Sequence, residues 1–272
     1  MNMPSNPLLE KHELPPFSRI EPVHVEPAIR HLIERNKQAI EQLLDASSQH
    51  TWESLLQPIE EMEDELAQAW SPVSHLNSVC DSPELRDAYN ACLPLLSEYA
   101  TWMGQHTRLC QAYQQIADSP AFAALDTGRR KAIENALRDF RLAGVALPPE
   151  QKKEYGDLRK RLSELGSKFG ENVLDATNAW SRQASRQELE GLPDTALANA
   201  RQAAQQAGKD DYLINLEYPS YSPVLMYCDN RALREEVYTA NCTRASELGP
   251  NAGQWDNTDI ITEKGYRHSS SH

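Results

Sequence analysis

Between Leu147 and Trp180 the chain carries one apolar pattern without a break. Tyr155, Leu158, Leu162, Leu165, Phe169, Val173 and Ala176 follow at steps of 3, 4, 3, 4, 4 and 3, which is one stripe down a single amphipathic helix. Pro148 and Pro149 stand at its start, where the missing proline N–H would have had no intrahelical partner. Charges lie off the stripe, with Asp157 and Arg161 four apart and Glu150 and Lys153 three apart. At 1.5 Å per residue, a helix of about 30 residues is roughly 45 Å long. Such a stripe cannot stand in water alone, so neighbouring helices must cover it.

The 272 residues suffice for one large domain or two and for a substantial core. A net charge of −13 argues against a nucleic-acid partner and against anionic membranes. No apolar run approaches the roughly 18 residues of a membrane span. Met1 to Phe17 holds Pro4, Pro7, Pro15 and Pro16 and no apolar signal core, so the expected localisation is cytoplasmic. Cys80, Cys92, Cys110, Cys228 and Cys242 are odd in number with no C-x-x-C, and are read as reduced structural thiols.

Taken in order, residues 1–25 are proline-rich and are expected to form an extended arm. From Glu26 the set Ala28, Ile29, Leu32, Ile33, Ile40, Leu43 and Leu44 marks a helix. Thr51 can cap a second helix running to about Trp70, with Pro58 as a kink. Ser71 to Asp81 is expected to be a break. Ser82-Pro83-Glu84 starts the next helix, to about Gln105 with a possible kink at Pro94. Helices are predicted near 107–117 and 127–143, with Gly144 as C-cap. Past the long helix, an extended piece is predicted near 181–190, a helix over 193–207 and a strand over 212–216 ended by Pro219. Asp229 is expected to cap a helix to about Ser246. From Gly249 the chain is expected to be loop-like. The fold class is mainly α, an elongated multi-helix array with one long central helix and at most a small β element.

A zinc peptidase needs two histidines four apart on a helix with a carboxylate beside them. His12-Glu13 runs into Leu14-Pro15-Pro16, His268 and His272 sit among serines, and His24 and His31 have no third ligand in view. The acidic run Glu60, Glu61, Glu63, Asp64 and Glu65 reads as a solvated face and lacks the ligand spacing of a calcium loop. Ser220 and Ser222 have no histidine nearby, and no phosphate loop or nucleophile elbow is present. No catalytic and no metal residue is assigned. Tyr218, Tyr221 and Tyr227, set around Pro219 and Pro223, are the candidates for a substrate-binding groove, with core or interface packing as the alternative.

Several stretches together resemble one family. They are Phe17-Ser18-Arg19-Ile20 with His24-Val25-Glu26-Pro27-Ala28, Ser71-Pro72-Val73-Ser74-His75-Leu76-Asn77, and Leu93-Pro94-Leu95-Leu96-Ser97-Glu98-Tyr99. Asn135-Ala136-Leu137-Arg138-Asp139-Phe140, Asn172-Val173-Leu174-Asp175-Ala176-Thr177, Tyr227-Cys228-Asp229-Asn230 and Gly249-Pro250-Asn251-Ala252-Gly253 continue it. This is similar to the N-terminal part of oligopeptidase A-like members of the M3, or thimet oligopeptidase, family of zinc metallopeptidases. The resemblance implies one half of a helical clam that flanks a channel, in cytoplasmic enzymes that hydrolyse short peptides. It places the zinc and the H-E-x-x-H helix in a C-terminal catalytic half with no counterpart here, so a chain inactive alone is expected. It divides the chain into an arm (1–25), a helical domain (26–258) and an aberrant tail (259–272), since Lys264 to His272 departs from the family pattern. Partners implied are short peptides and the missing catalytic half. The alternative is a non-catalytic helical module that binds peptides or docks a partner.

Overall fold

The computed structural model of the protein describes residues 6–251 and 253–270. Among these, ten α-helices and one two-stranded sheet make the chain mainly α, as the periodicities predict. The chain divides into two compact units, one up to Glu164 and one from Leu165 onward.

The first unit is organised by α1 (Pro22–Ala46), 25 residues long. Its start is closed reciprocally: the Glu21 N–H donates to His24 Nδ1 at 3.1 Å, and the His24 N–H donates to the Glu21 carbonyl at 2.9 Å. Residues 7–9 and 17–19, expected to be extended, form 3₁₀ turns. The first is pinned by buried Leu8 and by the Asn6 amide, which donates to the His24 carbonyl at 2.8 Å.

Two apolar cores lie along α1. The first joins Val25, Ile29, Leu32 and Ile33 to Leu66 and Val73 of α2 (Gln57–Val79) and to Leu85, Cys92 and Tyr99 of α3 (Pro83–Gly104). The second joins Ile40 and Leu44 to Leu55, Leu56 and Ile59, and to α4 (Thr107–Asp118) and α5 (Thr127–Leu142) through Leu109, Tyr113, Ile116, Ile133 and Phe140. Between them the stripe of α1 carries Asn36, fully buried, whose amide donates to the Met62 carbonyl at 3.1 Å while its oxygen accepts from Arg35. A buried amide without those partners would cost about 1–3 kcal/mol.

Prolines decide the details of α2. Thr51 caps a π-helical turn at Trp52–Leu56, and α2 follows. Pro58 has no N–H for the usual bond four residues back, and the wider turn ahead of it accommodates that loss. The break expected at Ser71 to Asp81 shrinks to its last residues, Cys80 and Asp81, because α2 runs through Pro72 to Val79. Pro72 and Val73 are both buried, and their packing outweighs the proline penalty of about 3 kcal/mol. Beyond Cys80, the Ser82 hydroxyl accepts the Leu85 N–H at 3.2 Å, the cap that the sequence predicts. Gly144 follows α5 at φ +77°, a left-handed turn suited to glycine.

The long helix is α6 (Pro149–Ala179), 31 residues. Its stripe is buried unevenly: Leu165 and Ala176 are buried, Tyr155, Leu158, Leu162 and Val173 are half-buried, and Phe169 is exposed. Asn172, beside the predicted Val173, is the buried residue of that turn.

In the second unit β1 (Ser181–Ala184) pairs antiparallel with β2 (Tyr212–Asn215), Ser181 opposite Asn215 and Ala184 opposite Tyr212. Around this ribbon pack α7 (Asp194–Gln206), α8 (Tyr218–Tyr227) and α9 (Arg231–Thr243), with Leu189, Leu192, Leu197, Ile214, Val224, Cys228, Leu233 and Val237 at the core. Asn230, not the expected Asp229, caps α9, its side-chain oxygen accepting the Leu233 N–H at 3.2 Å. The loop-like stretch expected from Gly249 ends sooner, at α10 (Thr258–Ser270). Buried Asn257 opens that helix. Its Oδ1 accepts from Asn172 Nδ2 at 2.9 Å and its own amide donates to the Phe169 carbonyl at 3.2 Å. Its backbone N–H reaches the Ala245 carbonyl at 3.0 Å.

Candidate functional site

The candidate tyrosines fall on α8, a helix the sequence pattern did not predict because Pro219 and Pro223 both lie in it. Pro219 occupies the first turn, where proline is tolerated, and Pro223 is carried by the burial of Ser222 and Val224 on either side. Tyr218 and Tyr221 meet edge to face at 5.8 Å between ring centroids. Tyr227, nine residues from Tyr218, lies about half a turn round a 3.6-residue helix at its other end. The structure thus brings two of the three together. Tyr218 is 70 % exposed, Met226 61 % and Tyr227 51 %, while Tyr221 packs on the core of the second unit.

The other sequence candidates serve the architecture. The Ser220 hydroxyl accepts the Asn215 N–H at 2.9 Å. The buried Cys228 thiol donates to the Glu188 carbonyl at 3.2 Å, and all five cysteines are free. His24 closes the start of α1. His31 is exposed, and His12 Nε2 lies 3.4 Å from Glu10. His272 and the side chain of His268 lie outside the described residues. Of the acidic run, Glu63 accepts from Tyr99; burial, followed by the charge of Glu60, raises its pKa above the usual carboxylate range despite that bond. Glu65 pairs with Arg35 at 2.7 Å and Lys11 at 3.3 Å, which draw its pKa down against the cost of burial. Glu61 and Asp64 accept amide bonds from Gln57 and Gln68 one turn away.

Among the described residues no three His, Cys, Asp or Glu side chains converge as metal ligands. Nor is any described helix long and apolar enough to cross a membrane.

A cavity of about 650 Å³ lies in the first unit. The turn-containing arm forms one wall through Pro7, Pro15 and Pro16, and α1 and α2 form the other through Leu32, Ala69 and Pro72. Arg35, Lys11, Asp64, Glu65 and Glu13 also line it. Glu13, Asp64 and Glu65 stood out in the sequence only as part of His12-Glu13 and of the acidic run; the fold brings the arm over the two helices, and nothing local signalled the cavity.

Comparison with known proteins identifies the class. Residues 29–152 match the family model described as Neurolysin/Thimet oligopeptidase, N-terminal domain. The chain belongs to the M3 oligopeptidase family and represents its N-terminal portion. Over 260 residues it is 50 % identical to "Oligopeptidase A" of Escherichia coli K12 and 53 % identical to "Oligopeptidase A" of Haemophilus influenzae, in each case over 95 % of this chain and 38 % of the relative. A plant protein, "Organellar oligopeptidase A, chloroplastic/mitochondrial" of Arabidopsis thaliana, is 37 % identical over 267 residues, 95 % of this chain and 33 % of that protein. The chain thus spans little more than a third of the length of these enzymes.

Proposed function

We propose that this chain is the channel-wall region of a cytoplasmic, zinc-dependent oligopeptidase that hydrolyses short peptides, and that it does not hydrolyse them alone. One observation carries this reading: identity of about half over 95 % of the chain to proteins named oligopeptidase A, of which it spans 38 %. The sequence holds no H-E-x-x-H, the arrangement that would hold zinc and a general base on one helix face. In this proposal the zinc and the bond-breaking groups belong to a C-terminal catalytic half, and the residues here shape the approach of the peptide. The arm, the helical domain to residue 258 and the tail from 259 are the divisions proposed for that role.

The exposed Tyr218, Met226 and Tyr227 favour a second reading of the same chain, as a module that docks onto such a catalytic half. All three are large side chains exposed on α8, the kind that interaction surfaces use. The test is complementation. The catalytic part of the Escherichia coli relative is expressed separately and assayed on a quenched fluorescent peptide with and without the 272-residue chain. An increase in zinc-dependent turnover is expected on mixing, reduced by Tyr218→Ser combined with Met226→Ser. No increase at any ratio, with both parts folded, would overturn the docking reading.

A further inference from the structure

We propose that the cavity beneath the N-terminal arm is a binding site for a short zwitterionic ligand, a di- or tripeptide with both termini free. Its volume of about 650 Å³ falls within the range of small-ligand sites. The floor is apolar, from Leu8, Leu32 and Ala69. Four prolines stiffen the walls, and the arm is held by the Asn6 bond to His24, the Arg19–Glu10 pair at 2.7 Å and the contact of Phe17 with His75 at 5.5 Å. A site that is already rigid loses little entropy when it binds.

The charges on the lining are unbalanced in two opposite senses. Glu65 receives both Arg35 and Lys11, so two cations meet one carboxylate on that wall, while Glu10, also in the lining, is taken by Arg19. A peptide C-terminal carboxylate supplies the missing anion there. Asp64 and Glu13 line the same cavity without an ion pair among the described residues. They suit a peptide N-terminal ammonium, while the apolar floor takes a side chain between. A purely apolar, purely anionic or purely cationic ligand would leave one of these charges uncompensated.

The probe is Ala-Leu-Ala, titrated into ¹⁵N-labelled 272-residue chain with free, acetylated, amidated or doubly blocked termini. Saturable shifts are expected at the amides of residues 9–13, 31–35 and 64–71, with a Kd on the order of 1 mM. Blocking either terminus is expected to weaken binding about two- to fivefold, the range of exposed charge pairs. Lys11→Gln should abolish the difference between free acid and amide, and Asp64→Asn that between free amine and acetyl. Lys11 and Asp64 are both exposed, so the fold is kept. No shift at those amides, or equal binding of the doubly blocked peptide, would overturn the proposal. The titration involves neither zinc nor cleavage, so its failure and a failure of the peptidase reading are separate results.

Discussion

The two units use different means to the same end. In the first, helices bury apolar stripes against one another in two cores strung along α1, and Asn36 is the polar interruption between them. In the second, a short ribbon and short helices are held around one turn by specific polar contacts. Glu188 is central to that turn: its Oε2 accepts the Ser185 N–H at 2.8 Å and its Oε1 pairs with Arg182 at 2.6 Å. The turn is then tied to the segment after α8, through Cys228 donating to the Glu188 carbonyl and through the Asp229 N–H donating to the Glu190 carbonyl at 2.8 Å. Gly191, at φ +90°, lets the chains approach so closely that a Cβ there would lie 2.3 Å from the Tyr227 carbonyl oxygen. Apolar burial is spread over many side chains, whereas the turn depends on a few atoms.

That contrast can be broken at four points. Ile29→Ala, in the first core of α1, is expected to cost the first unit about 3 to 4 kcal/mol by opening a cavity, measured by urea unfolding. Gly191→Ala is expected to cost the second unit about 2 to 3 kcal/mol, since it combines a disfavoured φ with a backbone clash. Hydrogen exchange should show that loss at α8 and α9 while the amides of α1 to α3 keep their protection; an unchanged α8 would refute the account of the turn. Asn257→Ala leaves Asn172 buried without its acceptor and is expected to cost about 1 to 3 kcal/mol, read as faster exchange in α10.

The smallest effect is a pH dependence. The Ser185 N–H, then Arg182 and the Ser185 hydroxyl, hold Glu188 down to a pKa of about 2 from the ordinary 4.5. A carboxylate depressed in the folded state stabilises it above the unfolded pKa, and that contribution is lost as pH falls from about 4.5 to 2. Because the side chain is 34 % exposed, screening reduces the effect to about 1 kcal/mol. Glu188→Gln should remove this acid-limb slope, and an unchanged slope would show that other carboxylates account for it.

What the sequence disclosed follows the same division. Ser82-Pro83 and the stripes of α1 and α6 are local signals, because a cap and a 3.6-residue period are written in neighbouring residues, and those helices stand where they were expected. Pro72, Pro219 and Pro223 misled locally, because the burial that outweighs their cost comes from residues distant in the chain. Asn172 and Asn257 pair across 85 positions, so nothing near either one foretold α10. Nor was the cavity legible, since Lys11, Arg35 and Glu65 meet only after folding. The family resemblance was legible through whole stretches of sequence, while Tyr218, Tyr221 and Tyr227 were marked by composition alone and are only partly neighbours.

The central functional claim is tested most directly by turnover of a quenched fluorescent peptide by the pure 272-residue chain with added zinc, against a chelator control. The account predicts a rate indistinguishable from the control at every zinc concentration. Zinc-dependent cleavage that copurifies with the chain and disappears with the chelator would contradict it.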